Sequence, residues 1–380
     1  MQLAFVIFKY FPFGGAQRDM MRIARECVKR GHEVHVYTLS WKGEPPEAGI
    51  NAHVLPARGW LNHRRYRDFL RQLRGQFATM HFDLVVGFNR LPGLDAYFAA
   101  DPCFLERARQ QRGWLYRWSG RYRFFAGCEK AVFGRDAGCQ ILLLSAIEKA
   151  VFQRWYGTPD ERFHLLPPYL SAERFALGDA AEARAAVRAE FGYATDDRLL
   201  LLVGSGFRTK GLDRAIRALA ALPPELRSHT RLLAVGQDNP RLFARMAGQQ
   251  GVGEQVNVVA GRNDVPRLMQ AADLLLHPAR RELAGHVLLE AMACGLPVLT
   301  TDVCGYAEHI ARAGAGMVLP SPLDQAQLDV RVAEMLQSPQ RDSWRDNGLR
   351  YAQRLMTDND GSAEAVMLEQ FARRRQEQAA

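Results

Sequence analysis

Apolar residues along this chain fall into short unbroken runs, separated by longer stretches in which they recur at helical spacing. Continuous runs suit parallel strands buried on both faces, and helical spacing suits the amphipathic helices that cover them. In the first half the runs are residues 3–8 (LAFVIF), 33–38 (EVHVYT), 83–88 (DLVVGF), 96–100 (AYFAA), 140–144 (QILLL) and 163–166. An amphipathic helix is predicted from about Ala16 to Arg30, stopped by Gly31-His32. Phe11-Pro12-Phe13-Gly14-Gly15 makes the turn into it. Glycine there is expected to supply positive φ and to let a ligand approach the backbone. The dinucleotide fingerprint GxGxxG is absent, and a plain tight turn accounts for Gly14-Gly15 as well as ligand binding does.

Pro167-Pro168 can neither continue a helix nor supply ladder donors, and is read as an interdomain hinge. Beyond it the alternation restarts, with strands at 198–203 (RLLLLV), 231–235, 256–259 and 274–277, a helix from Leu212 to about Leu222, and a buried strand after Gly295-Leu296-Pro297. From about Asp324 the chain is predicted mostly helical to Arg375, broken at 357–361, with 376–380 frayed. Strand–helix alternation through both halves predicts an α/β fold of two parallel sheets, with domains at 1–167 and 168–357.

Composition is compatible with that picture: 380 residues exceed one ordinary core, and 48% hydrophobic with 24% charged is globular. Fifty Lys and Arg against 41 Asp and Glu leave a formal charge of +9, which favours anionic partners. No apolar run approaches the ~20 residues of a membrane span. The apolar N-terminus lacks a basic start and a cleavage site, so it is read as a first strand and not a signal peptide. The six cysteines form no CxxC pair and are expected to be reduced core thiols of a cytoplasmic protein, with no zinc site.

Charge is uneven. One stretch carries Arg58, Arg64, Arg65, Arg67, Arg71 and Arg74 against Asp68. A second carries Arg107, Arg109, Arg112, Arg117, Arg121, Arg123, Lys130 and Arg135 against Glu106 and Glu129, interleaved with Trp114, Tyr116, Trp118, Tyr122, Phe124 and Phe125. This mixture fits an interfacial membrane patch, a surface that stacks and neutralises nucleic acid, or core aromatics under a solvated basic face.

The stretch with most chemistry is HPARRELAGHVLLEAMACGLPVLTT, residues 277–301, in which seven residues separate Glu282 from Glu290. It reads as strand end, loop and helix, with Glu282 just before the helix and Glu290 about two turns along it. The amides of Ala284, Gly285, His286 and Val287 are then helix-start donors that favour an anion, while carboxylates beside an anion serve best as acceptors for hydroxyl groups. Four turns follow successive strands: 204–211, 236–238, 261–264 and 279–285. They offer Arg208, Lys210, Arg262, Glu282, Glu290 and a helix N-terminus, a set suited to a nucleoside diphosphate. In the first half Asp19 is either a cleft-facing acid or a helix-dipole partner, and Asp101 either lines the crevice or caps the next helix. No P-loop, GxSxG or metal-ligand cluster is present. Asp358-Asn359-Asp360 is formally a DxD, but it lies in a tail break and reads as a turn.

ELAGHVLLE with Gly295-Leu296-Pro297-Val298 resembles the EX7E signature of the retaining GT-B glycosyltransferases of family four. KYFPFGGAQRD (9–19), VVGFNRLPGLDAYFAAD (85–101), LYRWSGRYR (115–123), VGQD (235–238), AGRND (260–264), AADLLLHPA (271–279) and PVLTTDVCGYAEHI (297–310) are similar to the lipopolysaccharide core glucosyltransferases among them. The resemblance covers the whole chain. It implies two Rossmann-like domains facing a deep cleft, with a C-terminal helix at about 358–380 returning to the first domain.

It further implies that Glu290 takes the ribose hydroxyls, that Glu282 lies near the donor sugar, and that Ala284 to Val287 meet phosphates and sugar. Lys210 and Arg208 would neutralise the diphosphate, Arg262 and Asn263 border the uracil, and Gly14, Gly15 and Asp19 close over the donor. Asp101, on the acceptor side, would join Lys210 and Glu282 as the catalytic set. His286 stands where the family usually has an aromatic or aliphatic residue, and Thr209 precedes Lys210 where a diphosphate arginine is common. The implied reaction is retaining transfer of glucose from UDP-glucose to the inner-core heptose of lipopolysaccharide, α-1,3. UDP-galactosamine or its N-acetyl form is the alternative donor, and a UDP-sugar epimerase is the remoter alternative function. The implied partners are the heptosylated lipid A–core and the anionic cytoplasmic leaflet of the inner membrane, met through Arg107, Arg109, Arg112, Trp114, Arg117, Trp118, Arg121, Tyr122 and Arg123. A peripheral cytoplasmic monomer is expected, with no metal, no other cofactor and no nucleic acid.

Overall fold

The computed structural model describes residues 1–12, 14–176 and 178–379, so Phe13 of the first turn lies outside the described residues. The chain divides into two compact units, Met1–Pro168 with Asp360–Ala380, and Tyr169–Asn359.

The first unit is built on seven parallel strands: β1 (Gln2–Ile7), β2 (Glu33–Thr38), β3 (Ile50–Val54), β4 (Leu84–Gly87), β5 (Ala96–Ala99), β6 (Gln140–Leu143) and β7 (Phe163–Leu165). Their order is β3-β2-β1-β4-β5-β6-β7. The chain therefore winds one way from β1 and then returns to its other side, leaving a switch point between β1 and β4. The continuous apolar runs become buried strands because both faces are covered: β1, β4 and β5 are buried almost throughout. The helix Gly15–Lys29 buries Met20, Met21, Ile23, Ala24 and Cys27 at helical spacing.

The C-terminal helix Ala363–Ala379 belongs to this unit. Arg22 pairs with the buried Glu364, Arg30 and His32 grip Glu369 at 2.7 and 2.8 Å, and Arg375 donates to Asp95 at 2.8 Å. Gln376 donates to Asp83 at 2.8 Å and the helix runs on to Ala379, through residues where fraying was expected; Ala380 lies outside the described residues. The Gln376 amide and the Arg375 guanidinium have acceptors on the sheet, which hold the last turns.

The second unit has six parallel strands: β8 (Arg198–Val203), β9 (Thr230–Val235), β10 (Val256–Val259), β11 (Leu274–His277), β12 (Val298–Thr301) and β13 (Gly316–Leu319). The order β10-β9-β8-β11-β12-β13 repeats the winding rule, with its switch point between β8 and β11. The strands Ile50–Val54 and Gly316–Leu319 are edge strands that the apolar pattern did not announce: the first mixes polar and apolar residues, and the second offers only the short run Met317-Val318-Leu319. The tail is three helices, with a further break at 338–340 between Gln325–Gln337 and Arg341–Asp358.

The buried acid Asp273, at the start of β11, ties this unit together. It accepts from the Leu199 amide at 2.8 Å and pairs with Arg184 at 3.1 Å, Arg188 at 3.4 Å and Arg341 at 2.7 Å. Burial alone would push its carboxyl up, but the Leu199 N–H and the arginines overcome that and hold it below the ordinary range. Asp273→Ala leaves the buried Arg188 without its counter-charge, so it should cost about 3–5 kcal/mol, read as a lower urea midpoint. A loss under about 1 kcal/mol would contradict this. Because the folded pKa is depressed, the stabilisation is present above the ordinary carboxylate range and is lost as pH falls below that range through the lowered folded pKa.

Candidate active site

The loops after β8 and β11 meet at the second unit's switch point, and glycine lets them do so. A Cβ on Gly211, whose φ is +84°, would sit 2.1 Å from the Pro278 carbonyl oxygen. The β8 loop is held from the β9 side, where the Asp238 carboxylate accepts from the amides of Gly206 and Phe207, the latter at 3.0 Å. The β11 loop is held from the other side. Gly305 N donates to Glu282 O at 3.1 Å and Tyr306 N to Ala284 O at 2.7 Å. Arg280 clamps the two loops, its amide on Thr209 O at 2.8 Å and its guanidinium on Arg208 O and Asp213.

This framework brings Lys210 and Glu282 into direct contact, each side chain less than one-fifth exposed. Burial pulls the Lys210 ammonium down to about 8, against the opposing pull of the Cys304 thiol. His277, the last residue of β11, is fully buried behind the pair, with Nε2 3.4 Å from Glu282 Oε2. Neither ring nitrogen has a hydrogen-bond partner among the described residues. Burial, then the Lys210 charge, pushes its imidazole down to about 3, so it is neutral near pH 7.

The helix His286–Ala293 starts behind Gly285 (φ 93°) and has no side-chain cap. Among the described residues the amides of Ala284, Gly285, His286 and Val287 have no acceptor. Each is thus a donor left for a ligand beside Lys210. Glu290 lies in the second turn, 3.7 Å from Arg174, and the His286 ring packs edge-on to Tyr306 at 5.2 Å.

The remaining residues singled out from the sequence are placed as follows. Arg208 is exposed beside Lys210. Arg262 stands at the end of the edge strand β10, its guanidinium held by Asp264 at 2.8 Å and Glu190 at 2.5 Å, and Asn263 is exposed next to it. Those acids, with Arg267, make Arg262 part of a surface ion network that already occupies its donors. Gly14 caps the helix Gly15–Lys29 with φ −83°, and neither it nor Gly15 has positive φ. The left-handed turn expected there is corrected, since the chain enters this helix from extended backbone. A Cβ on Gly14 would meet Gln17 and Phe11, whereas Gly15 faces open space. Asp19 is half-buried just beyond the first helical turn. Asp101 is exposed, 3.9 Å from Arg90. Asp360 caps the following turn through the Ser362 amide at 2.9 Å, and no group of three or more His, Cys, Asp or Glu suited to a metal occurs among the described residues.

In the basic–aromatic segment Trp114 and Trp118 are 73% and 70% exposed on a short 3-10 turn, with Leu115 between them. Tyr122, Phe124 and Phe125 instead pack inward, on Tyr116, Phe104 and each other, so core and surface aromatics alternate there. A cavity of about 200 Å³ beside the turn is lined by Arg109, Arg112, Arg117, Trp114, Tyr116 and Trp155. Arg123 is exposed on the following helix. No helix among the described residues is long and apolar enough to cross a membrane.

Three site residues were not picked out from the sequence. His277 carried a signal in LLLHP, a polar side chain ending an apolar strand. Arg174 and Cys304 carried none, because only the fold brings them to Glu290 and Lys210.

The family "Glycosyltransferase Family 4" matches residues 13–174 and "Glycosyl transferases group 1" matches residues 183–351. The lipopolysaccharide glucosyltransferase WaaG of Escherichia coli K12 is 46% identical over 353 residues, covering 93% of this chain and 94% of that protein. A D-inositol 3-phosphate glycosyltransferase of Stackebrandtia nassauensis is 26% identical over 340 residues, covering 80% of this chain and 75% of that protein. Among solved structures, WaaG superposes with a TM-score of 0.90 at 44% identity, covering 97% of this chain and 99% of that one. HepE of Anabaena, solved with UDP-glucose, superposes with a TM-score of 0.73 at 18% identity over 97% of this chain and 99% of that one, which speaks for the fold alone. With its two Rossmann-like units and this similarity over nearly its whole length, the chain belongs to the family-four glycosyltransferases of the GT-B fold.

Proposed function

We propose that this enzyme transfers glucose from UDP-glucose to an inner-core heptose of lipopolysaccharide with retention of configuration. The observation that carries the reading is the Lys210–Glu282 contact beside uncapped helix amides, in a chain 46% identical to a lipopolysaccharide glucosyltransferase. A diphosphate placed there displaces the Glu282 carboxylate from Lys210 and gains the amides of Ala284 to Val287 as donors. Glu282, released, accepts from donor-sugar hydroxyls, and Glu290 from the ribose. As the glycosidic bond to the diphosphate breaks, Lys210 and the amides stabilise the charge that develops on the leaving oxygen, and the leaving group takes the acceptor's proton. Arg208, exposed at the loop, adds a second cation. No resident metal or other cofactor enters the reading.

We further propose that the enzyme works on the cytoplasmic face of the inner membrane, as a monomer, with no nucleic-acid partner. Trp114, Leu115 and Trp118 would enter the headgroup layer while Arg109, Arg112, Arg117 and Arg123 meet anionic lipid, and Tyr122 packs beneath them.

The two glutamates separate in a calorimetric and kinetic assay. Glu290→Ala should weaken UDP binding roughly tenfold to a hundredfold, the worth of hydrogen bonds to a charged acceptor. Glu282→Ala should leave UDP affinity within a few-fold and lower kcat. Equal UDP affinity in wild type and Glu290→Ala would overturn the ribose assignment.

Lys210 gives a pH dependence of known sign. Its free pKa is about 8, and an adjacent diphosphate raises it. UDP-glucose affinity should therefore be level below about pH 8 and fall up to tenfold per unit above it, until the bound-state pKa is passed. Lys210→Gln should bind weakly at every pH. A wild-type affinity that stays flat between about pH 7 and 9 contradicts the assignment.

Vesicle flotation tests the membrane reading. Arg112→Gln with Arg117→Gln should weaken binding to anionic vesicles by about 2 kcal/mol, and high salt should release the wild type. Trp114→Ala with Trp118→Ala should release it at low salt too. Binding unchanged in both double variants excludes this surface.

A further inference from the structure

The first unit has a cavity at its own switch point, the topological counterpart of the Lys210–Glu282 site. It measures about 220 Å³, and its walls come from the residues just beyond three strand ends: Phe8 after β1, Asn89 and Arg90 after β4, and Asp101 after β5. Asn62, Tyr66, Phe104, Arg107, Arg121 and Phe125 complete it from the helices above. Asn89 Oδ1 accepts from the Phe8 amide at 2.7 Å, which joins the two strand ends and leaves the Asn89 Nδ2 amide group to face a ligand. The apolar wall is firm: Tyr66 stacks on Phe8 with ring centroids 3.8 Å apart, and Phe125 lies edge-on to Tyr66 at 6.0 Å.

The charges around this cavity do not cancel. Arg90 is bound from behind by the fully buried Glu129, which also accepts from the amides of Phe104 and Leu105 and from the Tyr156 hydroxyl. Asp101 is exposed and only 3.9 Å from the same Arg90. Arg107 and Arg121 have no carboxylate partner among the described residues; the Arg121 guanidinium rests over Phe125 at 5.2 Å. Burial, and then the charges of Arg64, Arg67 and Arg121, hold the neighbouring His63 below its ordinary range, in keeping with an uncompensated positive field. These two arginines were grouped with the membrane patch on sequence alone, yet the fold turns them toward Asp101 and away from the cavity beside Trp114.

We propose that this cavity binds a sugar of the acceptor that carries an anionic group, with a carboxylate or phosphate between Arg107 and Arg121. Asp101 and the Asn89 amide meet its hydroxyls, and Tyr66, Phe104 and Phe125 pack on its C–H face. The combination is what selects a charged sugar: aromatic walls and hydroxyl partners alone suit any hexose, and two open arginines alone suit any anion. The assignment rests on reading the first unit as the one that meets the acceptor, and it deepens that reading by naming the acceptor's chemistry.

Saturation-transfer NMR on the full chain tests it with four probes: glucuronate, glucose 6-phosphate, methyl glucoside and inorganic phosphate. Both anionic sugars should bind, with methyl glucoside and inorganic phosphate each at least about tenfold weaker. Comparing glucuronate with glucose 6-phosphate separates a sugar acid from a sugar phosphate. Arg107→Gln and Arg121→Gln should each weaken the preferred anionic sugar about tenfold, and together reduce it to the neutral level. Both residues are exposed, and UDP affinity, measured in parallel, should match wild type. Methyl glucoside or inorganic phosphate binding as well as the anionic sugars overturns the proposal. So does retention of anionic-sugar binding in the double variant with loss of vesicle binding, which would return the arginines to the lipid surface. Failure of wild type to bind UDP would instead strike at the donor reading, and the sugar titrations remain decisive without it.

Discussion

A lysine ammonium that is four-fifths buried must be neutralised, and the second unit is arranged around that requirement. Stripping the ammonium of water costs several kcal/mol, and only a well-placed opposite charge offsets it. Glu282 supplies that charge, but from a different loop, so both loops must be fixed before the pair can form. Gly211 lets them touch at Pro278, Asp238 holds one and the Gly305 and Tyr306 amides hold the other. His277 closes the back as a neutral ring that adds bulk without charge. The uncapped start of the helix His286–Ala293 follows from the same geometry. Gly285 turns the chain so sharply that no side chain reaches back to the first amides.

The first unit solves a similar problem in the opposite way. Arg90 also stands at a switch point and also faces a buried glutamate, but Glu129 is saturated by the Phe104 and Leu105 amides and the Tyr156 hydroxyl as well. That network fixes the start of the helix Phe104–Gln111 and leaves Arg90 little freedom to change partner. Lys210 has one carboxylate and can exchange it; Arg90 is locked. The open cations at this cavity are therefore Arg107 and Arg121, one helix layer above the strand ends.

How much of this was legible follows from which forces are local. Strands buried on both faces announce themselves as unbroken apolar runs, and Arg198–Val203 and Leu274–His277 lie where the pattern puts them. Edge strands such as Ile50–Val54 mix exposed and buried positions and give no such run. The spacing of Glu282 and Glu290 is local too, since a loop and little more than one turn of helix separate them. Charge neutralisation is not local. Arg262 reads as an open cation until Glu190, 72 residues earlier, is folded against it, and Arg107 reads as membrane-facing until the fold sets it on the cavity that Asp101 also lines. Gly14-Gly15 misled for a related reason: a glycine pair signals a left-handed turn only when the chain must reverse, and here it enters the helix from extended backbone.

If Lys210 meets the diphosphate as proposed, the use of lysine at position 210 has a consequence for rate. An arginine in this setting would stay charged and tightly paired to Glu282, binding ground state and transition state alike. Burial instead lowers the Lys210 pKa to about 8, so part of the cost of desolvating the ammonium is carried by the resting enzyme. A diphosphate in a nucleotide sugar bears its charge spread over several oxygens, and the bridging oxygen to the sugar is neutral. As that bond breaks, charge gathers on one oxygen close to the ammonium, and the proton on Lys210 is held more tightly at each stage. The interaction is thus stronger in the transition state than in the bound substrate, which is the only kind that raises kcat. The helix amides act in the same direction, because their dipoles are fixed before charge develops and need no reorganisation. In the same proposal Glu282, having left Lys210 for sugar hydroxyls, would hold the anomeric carbon in place while this happens.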